Sequence, residues 1–266
     1  MTDYLIAILL GFIEGLTEFL PISSTGHLIL AEYLLPGAVP ETFKTMIQLG
    51  AVLAVVVLYF EKLWGVFITI PTSAASRQFA TAVIVAFLPA MVMGALLHDF
   101  IKNVLFSPFV VSVAMVTGGI LILLAERFRP EPKITDVDDI DVLTGLKIGL
   151  FQCLAMIPGM SRSGSTIIGA MVMGVDRKPA AEFSFFLAIP TMVGVFVYEG
   201  WSSREALLAQ GGHDLMLVAI GFVVSFITAL IVVKLFIGIV QKMGFAPFAW
   251  YRIVVGLGLV ALFWPA

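Results

Sequence analysis

The sequence predicts an all-α, polytopic membrane protein built of two inverted repeats, each with a re-entrant helical hairpin followed by three transmembrane helices. Three observations favour this fold. The 266 residues are 60% apolar and only 12% charged, whereas soluble domains carry about twice that share of charge. Apolar runs long enough to cross a bilayer recur along the chain. Two further apolar stretches resemble each other and are broken near their middle.

The composition also excludes several classes of protein. A net charge of −3 without a basic block is unlike nucleic-acid binders, so no nucleic-acid partner is expected. The single cysteine, Cys153, excludes an internal disulfide and a site with several cysteine ligands. No in–out alternation of apolar and polar side chains recurs, which disfavours a membrane barrel. The N-terminus lacks the positive segment and cleavage site of a signal peptide.

Six apolar runs bounded by charged residues are predicted to cross the membrane. They cover residues 42–60, 80–97, 107–125, 180–198, 214–237 and 246–265. The segment 126–142 is rich in charge and turn residues and is predicted to be a solvated loop. It divides one integral-membrane domain, residues 1–266, into a first repeat at 1–125 and an inverted second repeat at 143–266.

The stretches 3–35 and 143–177 are predicted to be re-entrant hairpins. Their centres read FLPISSTGHL and MIPGMSRSGSTI, and such broken backbone is tolerated at membrane depth only where protein buries it or it lines a cavity. The segments 11–24 and 149–161 align if one residue is dropped. Because three spans follow each hairpin, the second repeat takes the opposite orientation, an architecture found in many transporters.

The basic residues predict the orientation. If the first hairpin enters from outside, the inner side holds ten Lys and Arg residues and the outer side three, which agrees with the positive-inside rule. Both termini then lie outside. The inner group is Lys62, Arg77, Arg127, Arg129, Lys133, Lys147, Arg177, Lys178, Lys234 and Lys242, and the outer group is Lys44, Lys102 and Arg204. Arg162 and Arg252 are left within membrane segments.

Four ionisable residues of the hairpins are predicted to lie at membrane depth: Glu14, Glu18, His27 and Arg162. Such a group costs at least about 2.5–3.5 kcal/mol at membrane depth and marks a functional site by default. Glu14 and Glu18 are four residues apart, so their carboxylates share one helical face, where Mg²⁺ or Ca²⁺ could bridge them. Alternatively, one carboxyl is protonated or both face an aqueous vestibule.

The tip of the first hairpin carries three hydroxyls, a glycine and His27. The hydroxyl of Ser24, three residues before His27, could be a nucleophile whose proton the imidazole accepts. His27 could instead attack phosphorus itself or protonate a leaving group. Taken alone, the same residues also form an ordinary helix-capping turn.

The tip of the second hairpin, residues 158–166, resembles an anion-binding loop. Small residues let backbone N–H groups approach an anion, and a helix that starts there directs its positive end toward it. Arg162 adds a planar fork that matches phosphate, and Ser161, Ser163 and Thr166 add donors. Alternatively, Arg162 only neutralises a buried glutamate. If the two tips meet, they combine the parts of a phosphoryl-transfer site for a substrate with a phosphate head and a lipid tail.

The motifs EGLTEFLPISSTGH (14–27) and PGMSRSGST (158–166) resemble the two signatures of the bacitracin-resistance (BacA/UppP) family, the undecaprenyl-diphosphate phosphatases. The resemblance implies a bacterial inner-membrane hydrolase that converts undecaprenyl diphosphate to undecaprenyl phosphate and inorganic phosphate. That reaction recycles the carrier lipid for cell-wall synthesis and is linked to bacitracin resistance. The family requires a divalent cation, and its site opens toward the periplasm.

The resemblance also implies roles for individual residues. Glu14 and Glu18 would serve metal binding or acid–base chemistry, and Ser24 and His27 would be the nucleophile and its partner, with Ser24 favoured for the attack. The diphosphate would be held by Ser161, Arg162 and Thr166, in the loop that also contains Ser163. A polyprenyl-phosphate flippase remains the alternative function, because inverted repeats with broken helices are also typical of transporters. The choice of metal and the oligomeric state, a homodimer included, stay open.

Overall fold

The computed structural model describes residues 2–35, 39, 43–101, 105–202 and 212–264. Within these residues the chain is all-α, and the β-type pairing they contain is one isolated bridge between Ile134 and Val175. The α-helices are α1 (Thr2–Thr17), α2 (Ser24–Leu34), α3 (Phe43–Leu58), α4 (Phe60–Thr69), α5 (Ala74–Phe100), α6 (Pro108–Phe128), α7 (Val142–Gln152), α8 (Arg162–Val172), α9 (Arg177–Ser202), α10 (Gly212–Met243) and α11 (Ala246–Leu262). Short 3₁₀ helices cover Val137–Asp139 and Cys153–Met156.

The helices confirm a multi-pass membrane protein. Four of them in the described chain, α5, α6, α9 and α10, are long and apolar enough to cross a bilayer. The pair α3 and α4 makes a fifth candidate span that bends by 71° at the break between them. The sixth predicted span corresponds to α11, which is apolar but has 17 residues. Lys102 and Arg204, used in the orientation argument, lie outside the described residues.

The predicted span 42–60 corresponds to α3, which ends at Leu58, and the chain then bends and continues as helix α4. Glu61 and Lys62, expected to bound the span, lie inside α4. The Lys62 Nζ atom is 2.7 Å from Asp138 Oδ1 and 4.9 Å from the centre of the Phe79 ring. These contacts connect α4 to the segment after α6 and to α5.

Both predicted hairpins contain the expected break. In the first, α1 and α2 are separated by residues 18–23, and in the second, α7 and α8 are separated by residues 153–161. The first helix of each hairpin packs against a long helix of the other half of the chain, α1 against α10 and α7 against α5. Each hairpin is therefore packed mainly against the other half of the chain.

Glycines permit that close packing. A Cβ atom on Gly11 of α1 would lie 2.5 Å from Gly221 O of α10, and one on Gly149 of α7 would lie 2.2 Å from Ala86 O of α5. Real Cβ atoms do not approach oxygen so closely, so the helices meet backbone to backbone. Within a membrane the hydrophobic effect does not drive helices together, so association depends on close van der Waals packing, which small residues permit.

The segment 126–142 is less solvated than predicted. Val137 and Ile140 are buried in the main hydrophobic core. The segment is also bonded to the turn between α8 and α9, since Ile134 N donates to Gly174 O at 3.1 Å and Asp176 N donates to Ile134 O at 2.8 Å. The apolar residues of this segment alternate with many charged residues, so the sequence alone does not show that they face the core.

Asp141, at the end of the same segment, begins α7. Its Oδ1 accepts a hydrogen bond from Thr144 N at 2.7 Å, which caps the helix. This bond, made to the charged form, holds the pKa of the Asp141 carboxyl below its ordinary value. The cap positions the start of the helix that leads to the second tip.

Candidate active site

The two hairpin tips contact each other directly. Arg162 Nη2 in the second tip lies 2.9 Å from Glu18 Oε1 in the first. Ser163 Oγ donates a hydrogen bond to Leu20 O at 2.9 Å. Residues far apart in sequence therefore share one site, as the sequence led us to expect if the tips meet.

Each tip ends in the same capping turn. Ser23 has φ 70° and Ser161 has φ 72°, a left-handed conformation that is uncommon outside glycine. The Ser23 Oγ accepts from Gly26 N at 3.3 Å, and the Ser161 Oγ accepts from Gly164 N at 3.1 Å. The structure thus matches Ser23 with Ser161 without a gap. The alignment that dropped a residue is wrong by one position at the tips, where it paired Ser161 with the next serine.

The first turns of α2 and α8 line a common cavity of about 140 Å³. Both helices direct their N-terminal, positively polarised ends toward it, which favours an anion. Most of the lining side chains are polar or belong to the two tips. They are Glu18, Ser23, Ser24, Thr25, Gln48, Ala155, Pro158, Gly159, Ser161, Arg162 and Met192.

Glu18 lies at the centre of the polar contacts. Its Oε2 accepts a hydrogen bond from Ser24 Oγ at 2.7 Å, and its Oε1 faces the Arg162 guanidinium. Arg162 also donates from Nη1 to Ser184 O at 3.2 Å. The Arg162 Nε is buried and has no hydrogen-bond partner within the described residues. Arg162 therefore neutralises a buried glutamate, which is one of the two roles expected from the sequence, and its side chain also lines the cavity.

His27 is placed differently from the predicted partnership with Ser24. Its Nδ1 lies 2.8 Å from Ser23 O, and its Nε2 lies 2.9 Å from Tyr251 OH. The imidazole stacks on the Tyr251 ring with an interplanar angle of 3°. His27 lies almost one helical turn after Ser24 in α2, and its side chain faces α11. In the described chain, the hydrogen-bond partner of Ser24 is Glu18.

Ser163 and Thr166, predicted to bind phosphate, have 0% exposure and do not line the cavity. Thr166 Oγ1 donates to Ser184 Oγ at 2.7 Å, which ties α8 to α9. Ser163 joins the tips through its bond to Leu20 O. Their hydroxyls face protein groups and hold the second tip in place, while Ser161 and Arg162 face the cavity.

Glu14 is fully buried, and neither carboxylate oxygen has a hydrogen-bond partner among the described residues. Gln152 occupies the corresponding position in the second hairpin, and its Nε2 has no hydrogen-bond partner among the described residues either. Orphaned carboxylate oxygens next to a second carboxylate, Glu18, fit a hard cation such as Mg²⁺ or Ca²⁺. The described residues hold no cluster of three or more His, Cys, Asp or Glu side chains that could bind a metal.

The sequence predicts no role for Arg252 of α11. It is fully buried and donates from Nη1 to Pro21 O at 3.1 Å, and from Nη2 to Gly159 O at 2.9 Å and Met160 O at 3.0 Å. One guanidinium thus binds the backbone of both tips. The sequence shows a basic residue within an apolar run, which could have indicated a buried functional group. Its partners could not be predicted, because they are distant in sequence. Gln48 of α3, which lines the cavity, gave no such signal.

The chain is similar to known proteins along nearly its whole length. The family model of bacitracin resistance protein BacA matches residues 7–258. The chain is 54% identical over 259 residues to undecaprenyl-diphosphatase 1 of Agrobacterium fabrum, covering 96% of each chain. It is 51% identical to the undecaprenyl-diphosphatase of Bradyrhizobium diazoefficiens, covering 98% of each, and 47% identical to that of Caulobacter vibrioides, covering 100% of each.

Proposed function

Since the chain belongs to the BacA family of bacitracin resistance proteins, we propose that it is an undecaprenyl-diphosphate phosphatase. It hydrolyses undecaprenyl diphosphate to undecaprenyl phosphate and inorganic phosphate, which returns the carrier lipid to cell-wall synthesis. The observation that carries this proposal is the contact of Glu18 with both Ser24 and Arg162. A serine hydroxyl bonded to a carboxylate beside an arginine is an arrangement for nucleophilic attack on phosphorus.

Substrate binding uses the polar cavity. The N-terminal ends of α2 and α8 and the positive charge of Arg162, which lines the cavity, attract the diphosphate. The Ser161 hydroxyl at the cavity wall supplies a further polar contact. The lipid tail stays in the apolar surroundings, because only the headgroup has polar partners here.

The chemical step begins at Ser24. Its Oγ attacks the terminal phosphorus while Glu18 Oε2 accepts the hydroxyl proton, and the bond from that phosphorus to the bridging oxygen breaks. Undecaprenyl phosphate leaves, and the phosphoryl group stays on Ser24. Water then attacks that phosphorus, the bond to Ser24 Oγ breaks, and Glu18 returns the proton to the serine. Phosphate leaves with both protons of the water.

We also propose that Glu14 and Glu18 hold a divalent cation, Mg²⁺ or Ca²⁺. When bound, such a cation neutralises phosphate charge in the transition state. The support is the buried Glu14 carboxylate without a partner in the described chain, four residues before Glu18 on one helical face. Without a cation or a proton, two carboxylates so placed would repel each other.

The proposal also includes the orientation of the protein in the membrane and the relationship between its two halves. The cavity and both termini face the periplasm, which the distribution of basic residues supports. The two halves, residues 1–125 and 143–266, form an inverted repeat around the charged, cytoplasmic segment 126–142. The matched turns at Ser23 and Ser161 and the exchanged packing of α1 and α7 support that relationship.

Phosphate release by the purified protein tests the function. In detergent with Mg²⁺ or Ca²⁺, the protein is expected to release phosphate from undecaprenyl diphosphate, and a chelator is expected to stop the release. The competing flippase function is measured in parallel as movement of the same lipid across vesicles. Translocation without any phosphate release would show that the enzyme proposal is wrong.

A further inference from the structure

An apolar groove of about 250 Å³ runs along α6 beside the second tip. Most of its walls are hydrocarbon side chains, and the hydroxyl of Thr117 at its edge donates to Val113 O at 2.9 Å. The groove therefore offers carbon surface and little free hydrogen-bonding capacity. Its walls include Phe109, Val110, Val113 and Thr117 of α6, and Ile157 and Met160 of the second tip.

The groove and the polar cavity share one wall. Pro158 and Gly159 line the cavity, whereas Ile157 and Met160, on either side of them in sequence, line the groove. Four consecutive residues thus separate a site suited to an anion from a site suited to hydrocarbon. A molecule with a charged head and an apolar chain could occupy both by passing across this segment.

The shared segment is held firmly in place. A Cβ atom on Gly159 would lie 2.3 Å from Val111 O, so its backbone rests directly on α6. Arg252 donates to the carbonyls of Gly159 and Met160 and also to those of Ala114 and Met115 of α6. The wall between the two spaces is therefore fixed relative to both, and an occupant of the groove has a defined position relative to the cavity.

We propose that this groove binds the isoprene units nearest the diphosphate of the polyprenyl substrate, an inference that rests on the proposed function. A lipid chain gains little hydrophobic free energy when it leaves the bilayer for a protein surface, because both are apolar. The gain comes from close packing and from the position that the groove imposes on the headgroup. The groove thus aligns the terminal phosphorus with Ser24 and selects for an isoprenoid chain.

A photoreactive analogue tests the location of the chain. The probe is a polyprenyl diphosphate with a diazirine on an isoprene unit close to the diphosphate, added to the full-length protein in detergent. We expect the label in the peptides covering 109–117 or 157–160, and excess undecaprenyl diphosphate should prevent labelling while equal phosphatidylglycerol does not. Labelling confined to other helices, or equal displacement by phosphatidylglycerol, would overturn the proposal.

Filling the groove provides a second test. Val113→Phe should raise the KM for undecaprenyl diphosphate about tenfold and lower labelling of the groove by a similar factor. It should also lower kcat, because the headgroup is no longer aligned with Ser24. Ile120→Phe is the matched control, because Ile120 is 46% exposed on the same helix and lies outside the groove. Equal KM values for the two variants would contradict the groove. Absence of phosphate release by the unmodified protein would instead contradict the proposed function, and the labelling pattern still decides the groove.

Discussion

The Arg162 guanidinium and the Glu18 carboxylate form an ion pair of 2.9 Å between residues 144 positions apart. Their side chains are 9% and 5% exposed, so both charges are largely removed from solvent. Such a pair is favourable only when further hydrogen bonds satisfy its remaining atoms. Ser24 Oγ and Ser184 O supply two of these. The pair therefore joins the tips and places a carboxylate beside a serine hydroxyl.

Two substitutions of Arg162 should distinguish the contribution of its positive charge from that of the guanidinium geometry. Arg162→Lys retains the charge and loses the planar fork, so we expect kcat/KM for phosphate release to fall about 100-fold. Arg162→Met leaves Glu18 buried and unpaired, which should lower the free energy of unfolding by about 3–5 kcal/mol. Phosphate release and thermal unfolding in detergent measure the two effects. Full activity of Arg162→Lys would mean that the fork does not bind phosphate.

Ser24 and His27 should differ in their effect on catalysis. Ser24→Ala removes the attacking oxygen, and we expect kcat to fall at least about 1,000-fold. His27→Ala should cost less than about 100-fold, the lower limit of what a general acid or base supplies, because His27 contacts Ser23 O and Tyr251 instead of Ser24. Tyr251→Phe serves as the control for the packing around the imidazole. The reverse order of the two losses would favour attack by His27.

Arg252 should matter for stability and for the geometry of the tips. Arg252→Met leaves backbone carbonyls of both tips without their donor, and each buried unsatisfied group costs about 1–3 kcal/mol. We expect the melting temperature to fall clearly below that of Arg127→Met, which alters an exposed arginine near the end of α6. Circular dichroism during heating in detergent measures both. Equal melting of the two variants would show that the carbonyl contacts contribute nothing.

The backbone contact between α7 and α5 should not tolerate a side chain. Gly149→Val places carbon atoms where Ala86 O now lies, and overpacking of this kind costs about 1–3 kcal/mol. Gly258→Val in α11 is the matched control, since no atom lies within 4 Å of a Cβ there. Thermal unfolding of the two variants, side by side, is the measurement. A stable Gly149→Val protein would contradict the close approach of the two helices.

The fold was largely predictable because its main signals are local. Apolar length predicts spans, and a proline–glycine break predicts a hairpin, without knowledge of tertiary contacts. The helix α4 that follows α3 was not predicted, and the contact of its Lys62 with Asp138 joins residues far apart along the chain. Burial of Val137 was missed as well, since its charged neighbours indicate solvent.

The sequence predicts which residues form the site better than it predicts which of them contact each other. Ionisable residues in apolar segments identified Glu14, Glu18 and Arg162, and the structure brings Glu18 and Arg162 together. Sequence proximity suggested His27 as the partner of Ser24, yet the side chain on the next helical turn faces elsewhere. The contacts of Arg252 with both tips depend on the packing of α11 against α6, which no local pattern predicts.

Phosphate release by Glu18→Gln tests the central claim most directly, because Glu18 contacts both the nucleophile and the arginine. The substitution keeps the size of the side chain and one oxygen that can accept a hydrogen bond. It removes the negative charge and the base that accepts the serine proton. We predict that wild-type protein releases phosphate from undecaprenyl diphosphate and that Glu18→Gln is slower by at least about 100-fold, with folded protein verified by its melting curve. Equal rates for a folded variant and the wild type would contradict the account.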